Sequence, residues 1–138
     1  MKSIVMQPAF RLLLPLAYMA GIFLLSSIPD VGTPETMAES LLQWTTPELQ
    51  NLLHVPLFGG LAAAWHWALH SVARSRRIML LLAFLITTAY AFLDEWHQLH
   101  IPGRYGSWTD VMLNLIGIIA ALWIMDTKNR GTGRTGMT

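Results

Sequence analysis

Residues 94–110 have the sequence DEWHQLHIPGRYGSWTD, a strongly polar stretch between two long apolar runs. The stretch holds three of the eight acidic residues, two of the five histidines and one arginine. The whole chain is 54% hydrophobic and only 12% charged, so this is a large share of its polar groups. Polar groups at the edge of a membrane are costly unless they are used or satisfied. We therefore interpret the rest of the chain as a frame that holds this stretch in place.

Length and composition favour one integral membrane domain. The chain has 138 residues, its mean hydropathy is +0.45, and its few charges fall into short clusters. The net charge of +1 does not indicate binding to nucleic acid, which is typical of strongly basic proteins. Because the chain has no cysteine, disulfides, thiolate metal sites and thiol nucleophiles are excluded.

Four apolar runs approach the roughly 20 residues that a membrane-spanning helix needs. The predicted spans are Leu12–Ile28, Leu52–Leu69, Ile78–Leu93 and Val111–Met125. They predict an all-α, integral membrane four-helix bundle over residues 12–125. The basic N-terminus and the first apolar run also resemble a secretory signal peptide. However, the run is longer than the apolar core of such a signal, and Leu25 is too bulky for good cleavage after Ser27.

The segments around the spans have simpler predictions. Two Thr-Pro-Glu sequences, at 33–35 and 46–48, are typical of helix starts. The first predicts a short surface helix from about Pro34 to Trp44, between spans one and two. The second opens span two. Residues 1–11 form the N-terminus, and the glycine-, threonine- and base-rich tail at 126–138 is predicted to be disordered.

Charge predicts the topology. Eight of the nine lysines and arginines fall on one side of the four spans, and seven of the eight acids on the other. The basic side holds Lys2, Arg11, Arg74, Arg76, Arg77, Lys128, Arg130 and Arg134. Lysine and arginine mark the cytoplasmic side, so both termini are predicted to be cytoplasmic and the polar stretch to face outward. Aromatic residues fit two interfacial belts. The outer belt is Trp44, Trp96, Tyr105 and Trp108, and the inner belt is Trp65, Trp67 and Trp123, with His66 and His70 among it.

Polar residues of all four spans fall at the outer ends of the helices. They are Ser26 and Ser27, Asn51 and His54, Asp94, Glu95 and Gln98, and Asp110 and Asn114. Residues four apart share a helix face, so Asp94 lies with Gln98 and Asp110 with Asn114. A Pro102-Gly103 turn can bring Arg104 back over the helix ends. The sequence therefore predicts an outward-facing polar pocket. Its predicted ligand-binding residues are Arg104, Gln98, Asp110, Asn114, Asp94 and Ser27.

The sequence leaves two interpretations open for Arg104. It is either the ion-pair partner of a nearby carboxylate or a guanidinium that binds a phosphate or carboxylate head group. The candidate carboxylates are Asp94, Glu95 and Asp110. Asp110 is also a candidate for capping span four, a role that Thr109 suits as well.

His54 and Glu95 are the candidate catalytic residues. A glutamate beside a histidine and below a loop suits a general base. His54 suits a proton carrier, a metal ligand or a hydrogen-bond partner of Asn51 or a carboxylate. Ser27 is a candidate nucleophile near His54, although serines commonly only close a helix end. The residues that could form a metal site are His54, His97, Glu95 and Asp110. Because no HExxH-type spacing is present, we predict no metal site, and the sequence does not identify a cofactor.

The motif resembles the VanZ-like family. It consists of Asp94-Glu95-x-His97-Gln98, Pro102-Gly103-Arg104, Ser107, Asp110, Asn114 and Gly117, with Ser26-Ser27-x-Pro29 and His54 as weaker matches. The chain departs from the family pattern around His54, where we would expect a preceding lysine and a following Phe- or Tyr-rich segment. Here the sequence is Asn51-Leu52-Leu53 before it and Val55-Pro56-Leu57-Phe58 after it.

The resemblance implies a small multi-span protein of the bacterial cytoplasmic membrane. The founding member of that family is linked to low-level resistance to the glycopeptide teicoplanin, which places the family in cell-envelope biology. The implied partners are membrane lipids or a lipid-linked envelope precursor, and no nucleic acid. Two small-xxx-small pairs, Gly60/Ala64 and Gly117/Ala121, suit contacts within one bundle or between copies, so a homo-oligomer stays open.

Three kinds of function follow from these residues. The first is a pocket that binds an anionic head group through Arg104. The second is an enzyme that hydrolyses or transfers the head group, with Glu95 or His54 as base. In the third, the polar cluster only holds the helix bundle together.

Overall fold

The computed structural model describes residues 8–30, 34–37, 39–40 and 47–132. Within these ranges the chain forms four long α-helices and no strand. The helices are α1 (Pro8–Ser26), α2 (Pro47–Leu69), α3 (Arg76–Gln98) and α4 (Trp108–Thr132). α2, α3 and α4 are each long and apolar enough to cross a membrane, and α1 carries a shorter apolar stretch, Phe10–Ser26. The predicted all-α membrane bundle is confirmed.

The helices are longer than the predicted apolar runs because they include polar residues at their ends. Ser75 caps α3 by accepting a hydrogen bond from the Ile78 N–H at 3.3 Å. At its other end α3 continues through the polar residues up to Gln98. α4 runs to Thr132, whereas we expected a disordered tail from Asp126. A lysine near a helix C-terminus, here Lys128, favours this continuation.

The predicted surface helix, Pro34–Trp44, lies partly outside the described residues. Met37, Glu39 and Ser40 are helical, so the helix starts later than the expected Pro34. The reason is a capping box at Thr36, whose hydroxyl accepts the Glu39 N–H at 3.2 Å. The Glu39 carboxylate in return accepts the N–H groups of Glu35 and Thr36 at 2.6 and 3.2 Å.

α2 lies at the centre of the bundle and contacts all three other helices, α4 most extensively. α2 and α4 approach closely at Gly117, where an added Cβ would collide with the backbone carbonyl of Val55. A Cβ added to Gly59 would lie 3.0 Å from the Gly117 carbonyl oxygen. Small residues allow such approach between membrane helices, and here they are used within one bundle.

The core lies along α2 and takes one or more residues from each helix. Its largest fully buried apolar side chains are Phe58, Ile22, Leu61 and Ile118. Trp65 and His66 are also buried, so the expectation that they belong to an interfacial belt is wrong. The cause is the central position of α2, which is covered on several sides even near its end. Trp123 on α4 is exposed, as a belt residue should be.

The two ends of the bundle carry different groups. At one end, which we call the basic end, Arg76 forms an ion pair with Asp126, and the Arg11 guanidinium lies 5.2 Å from the centre of the Trp67 ring. At the other end, which we call the polar end, Ser26, His54, Asp94 and Asp110 come together. The structure thus separates the basic clusters from residues 94–110. Which end faces the cytoplasm stays a prediction from charge.

Candidate functional site

A cavity of about 640 Å³ opens at the polar end. It lies between α1, α2, the end of α3, the start of α4 and the loop at 99–107. Its polar lining is Ser26, Asp30, Gln50, Asn51, His54, Asp94, Gln98, Arg104, Ser107 and Asp110, and its apolar and aromatic lining includes Tyr18, Leu25, Leu53, Leu57 and Tyr105. We call this space the polar cavity.

The loop at 99–107 folds back over the helix ends. Gly103 has φ of 77°, a left-handed conformation that glycine adopts without strain. The turn is closed by the Arg104 N–H, which donates to the Ile101 carbonyl at 3.1 Å. The Asp30 N–H donates to the Pro102 carbonyl at 3.1 Å and ties the loop to the segment after α1. The turn therefore places Arg104 in the cavity wall, as the Pro-Gly sequence predicted.

Arg104 hydrogen bonds to neutral oxygens. Its Nε donates to the Ile28 carbonyl at 3.2 Å, its Nη1 to Gln50 Oε1 at 3.3 Å and its Nη2 to the Leu25 carbonyl at 3.4 Å. Within the described residues it forms no ion pair with a carboxylate. The structure thus does not show the pairing with Asp94, Glu95 or Asp110 that was one interpretation of the sequence. No carboxylate of the described residues therefore neutralises the guanidinium beside the cavity.

Asp94 links α1 to α3. Its Oδ1 accepts a hydrogen bond from the Ser26 hydroxyl at 2.6 Å, and its Oδ2 accepts one from the Gln98 amide at 3.1 Å. All three side chains are buried. Both carboxylate oxygens therefore have a partner, as a buried carboxylate requires.

Ser107 caps α4, in place of the two residues that we expected. Its hydroxyl accepts the Thr109 N–H at 3.1 Å, and α4 begins at the next residue, Trp108. In an ordinary capping box the acid three residues on, here Asp110, would accept the Ser107 N–H. That N–H instead donates to Glu95 Oε2 of α3 at 3.0 Å. Capping by Asp110 or Thr109 is thus wrong, because both residues lie inside α4 and Ser107 holds the N-cap position.

His54, Glu95 and Asp110 form a cluster at the edge of the cavity, which His54 and Asp110 line. His54 Nδ1 lies 3.0 Å from Asn114 Oδ1 and 3.8 Å from Glu95 Oε1. One ring nitrogen of His54 and one oxygen of each acid all lie within 4.8 Å of one another. We call these three residues the His54 cluster. It can act as a general base or hold a cation, and the other histidine weighed for a metal, His97, is not part of it.

Ser27 is placed apart from His54. Its hydroxyl donates to the Phe23 carbonyl at 2.7 Å and lies 3.0 Å from His97 Nε2, whose ring stacks on Phe23 at 4.4 Å. Since the single hydroxyl proton goes to the carbonyl, Ser27 accepts from His97 rather than donating to it. The structure thus shows no Ser27–His54 pair for nucleophilic catalysis.

The predicted site residues divide by position. His54, Asp94, Gln98, Arg104 and Asp110 line the polar cavity, whereas Glu95, Asn114 and Ser27 are not among the residues that line it. Gln50, which contacts Arg104, was not predicted. A signal was present, because Gln50 lies four residues before His54 and so shares its face of α2.

A comparison with known protein families identifies the chain. The family model described as VanZ/LLP1 matches residues 5–129, nearly the whole chain. The chain belongs to the VanZ/LLP1 family. In this VanZ/LLP1 protein, nine of the residues that suggested the resemblance lie in the cavity lining or the His54 cluster: Ser26, His54, Asp94, Glu95, Gln98, Gly103, Arg104, Ser107 and Asp110. No curated protein and no solved structure matches the chain significantly.

Proposed function

We propose that this VanZ/LLP1 protein binds the anionic head group of a membrane lipid or a lipid-linked envelope precursor in the polar cavity. One observation carries the proposal: Arg104 lines the cavity and forms no ion pair within the described chain. An anionic ligand would supply the missing negative charge.

The hydrogen bonds of Arg104 support this role. A guanidinium has five N–H donors, and three of them bond within the described residues, one from each nitrogen. One N–H therefore remains on each of the two Nη atoms. Two such donors match two oxygens of a phosphate or carboxylate. The three internal bonds hold the guanidinium in place, which lowers the entropy cost of binding.

The cavity has a suitable size and lining for a head group. Its volume of about 640 Å³ lies within the roughly 300–1,000 Å³ of ordinary small-molecule sites. Gln98 contributes an amide to the lining, and Leu53 and Leu57 contribute apolar surface for the start of an acyl chain. Exposed aromatic residues beside the cavity, Tyr105 and Trp108, suit a membrane–water interface.

The proposal places the cavity in the outer leaflet of the bacterial cytoplasmic membrane. Its support is the charge asymmetry, since the polar end lies opposite the basic clusters. The proposal extends to teicoplanin, which carries an acyl chain. Bound or altered envelope lipids would change how that chain enters the membrane, and so change teicoplanin susceptibility.

A second candidate function is catalysis on the bound head group. Glu95 Oε1 and His54 Nδ1 lie 3.8 Å apart, and His54 lines the cavity. Either residue would act as the general base, with Arg104 stabilising developing negative charge. This function predicts that Glu95→Gln abolishes turnover of a bound lipid while leaving the fold and head-group binding intact.

Native mass spectrometry of the protein, gently extracted from its own membrane, tests the proposal. We would compare the wild type with Arg104→Gln and, as a matched control, Arg74→Gln, an exposed arginine outside the polar end. The wild type and the control are expected to retain an anionic lipid or lipid-linked precursor that Arg104→Gln loses. The same spectra give the number of chains per particle.

Two outcomes would overturn the proposal. One is equal retention of anionic lipid by all three proteins. The other is a wild type that carries no anionic lipid and gains none when such lipid is added back. That second result would favour the structural alternative, in which the polar end only holds the helices together.

A further inference from the structure

The His54 cluster has features that a hydrogen-bonded lock between helices does not need. We propose that His54, Glu95 and Asp110 bind one divalent transition-metal ion, with Zn²⁺ and Mn²⁺ as the ions to test. The site uses one residue from each of α2, α3 and α4. This proposal does not rest on head-group binding, because Arg104 is not a ligand in it.

The spacing of the cluster suits a single ion. One atom from each of the three side chains lies within 4.8 Å of the other two. Nitrogen and oxygen ligands at the roughly 2.0–2.2 Å typical of zinc lie about 3.3–3.7 Å apart. Each ligand atom would move by less than about 1 Å to reach that geometry. Such movement is within the reach of side-chain rotation.

Glu95 gives a second, independent observation. The residue is only 6% exposed, and its Oε1 accepts no hydrogen bond from the described residues. Its Oε2 accepts a hydrogen bond from the Ser107 N–H. Its Oε1 lies 3.8 Å from His54 Nδ1. A buried carboxylate oxygen without a partner is unfavourable. A bound cation removes that cost.

The start of α4 also favours the site. Asp110 is the third residue of α4 and would accept the Ser107 N–H in a capping box, but Glu95 of α3 takes that donor. Asp110 instead lies in the cluster with His54. The exchange brings two carboxylates from different helices to one histidine. Like charges so close together favour a cation between them.

Asn114 supports the histidine in the way that outer groups support metal ligands. Its Oδ1 lies 3.0 Å from His54 Nδ1, and the residue is fully buried one turn after Asp110. If Nδ1–H donates to Asn114, the hydrogen bond orients the ring and leaves the Nε2 lone pair as the one that can bind the metal ion. The fold therefore restrains the least buried member of the cluster.

The ligand set selects the class of ion. An imidazole nitrogen with carboxylate oxygens suits Zn²⁺, Mn²⁺ and related ions, whereas Ca²⁺ and Mg²⁺ prefer oxygen alone. His54 and Asp110 also line the polar cavity, so an ion there could take further ligands from the cavity side. Water or an anionic ligand would complete its coordination.

Metal content and titration test the site. The full-length protein would be purified in detergent with a histidine-free tag, treated with EDTA, exchanged into metal-free buffer and titrated with Zn²⁺ or Mn²⁺ alone. The wild type is expected to bind one ion per chain, and X-ray absorption to show one nitrogen and several oxygen ligands. Glu95→Gln is expected to lower the affinity by more than about 100-fold, since even changes to outer groups cost about 10–100-fold.

Three variants separate the site from its alternatives. His97→Gln removes a histidine at the same end but outside the cluster, so it is expected to keep the ion. Glu95→His supplies another ligand and is expected to restore Zn²⁺ binding if Glu95→Gln is folded but metal-free. Arg104→Gln is expected to keep the ion while losing anionic lipid, so the two proposals fail separately.

Two results would overturn the site. One is a wild type that binds neither ion at micromolar concentration after EDTA treatment. The other is binding that persists equally in Glu95→Gln and His54→Gln, which means an adventitious ion only. If Glu95→Gln does not fold, the ligand signature and stoichiometry of the wild type decide: a spectrum with several histidines or more than one ion per chain contradicts the site.

Discussion

At the basic end of the bundle Arg76 pairs with Asp126, whereas at the polar end Arg104 pairs with no carboxylate in the described chain. Asp126 receives both an ion pair and, on its backbone carbonyl, a hydrogen bond from Arg76 at 2.9 Å. Arg104 lies in the wall of a cavity that Asp94 and Asp110 also line, yet it bonds to carbonyl and amide oxygens.

The difference distinguishes charges that join helices from charges kept for a ligand. At the basic end the ion pair between Arg76 and Asp126 joins α3 to α4 and balances the two charges. At the polar end Asp94 is satisfied by hydrogen bonds from the neutral side chains of Ser26 and Gln98. Arg104 and Glu95 Oε1 each keep unused capacity. Ligands of opposite sign would use that capacity, an anion at Arg104 and a cation at Glu95.

The largest expected effect comes from Gly117→Ala, which breaks the frame beneath the polar end. The added Cβ would collide with the Val55 carbonyl and push α2 away from α4, which separates His54 from Asn114. Overpacking of this kind costs about 1–3 kcal/mol, and a backbone collision belongs at the upper end. Thermal unfolding in detergent, with anionic-lipid retention measured alongside, checks the prediction.

Gly21→Ala is the matched control, because no atom lies within 4 Å of a Cβ added there. A helical alanine is favoured over glycine by about 0.5–1 kcal/mol, so this variant is expected to be as stable as the wild type or slightly more stable. Equal stability of the two variants would mean that α2 and α4 do not approach as closely as the structure shows.

An intermediate effect is expected for Asp94→Ala, which removes the carboxylate that accepts hydrogen bonds from Ser26 and Gln98. The Ser26 hydroxyl and the Gln98 amide would lose their partner while buried. Each buried polar group without a partner costs about 1–3 kcal/mol, but removing the buried carboxylate also removes its own desolvation cost, so the net loss is expected to lie below that of Gly117→Ala. The melting temperature of the detergent-solubilised protein measures the loss.

Asp94→Asn keeps one acceptor oxygen and the same shape, so its loss of stability is expected to be about half as large. If Asp94→Ala has the melting temperature of the wild type, Asp94 does not stabilise the contact between α1 and α3. Asp94 could then not be contrasted with Arg104 and Glu95 Oε1 as a group that stabilises the fold.

Much of the architecture could be predicted from the sequence. The lengths of the apolar runs predicted the four helices. The alternation of basic and acidic loops along the chain predicted that the polar residues lie at one end of the bundle. The i, i+4 spacing correctly put Asp94 with Gln98, and the Pro102-Gly103 turn correctly brought Arg104 over the helix ends. These features depend on local periodicity and on the distribution of charge alone.

The choice of partners could not be predicted. Whether Glu95 or Asp110 accepts the Ser107 N–H, and whether Ser27 meets His54 or His97, depends on shifts of a few ångströms between helices. The burial of Trp65 and His66 was missed for a related reason. In a membrane, lipid-facing and buried surfaces are both apolar, so composition does not reveal which helix is central.

The most direct test of the contrast between the two arginines is thermal unfolding in lipid nanodiscs. Wild type, Arg104→Gln and Arg76→Gln would be reconstituted in zwitterionic lipid, and the fraction of anionic lipid raised stepwise. Arg76→Gln is expected to show the smallest change, because a partly exposed ion pair contributes about 0–1 kcal/mol, and to respond to anionic lipid like the wild type.

A ligand that binds only the folded state raises the melting temperature with its concentration. The account predicts that anionic lipid raises the melting temperature of the wild type and of Arg76→Gln but leaves that of Arg104→Gln unchanged. A rise of equal size in all three proteins, or in none, would contradict it.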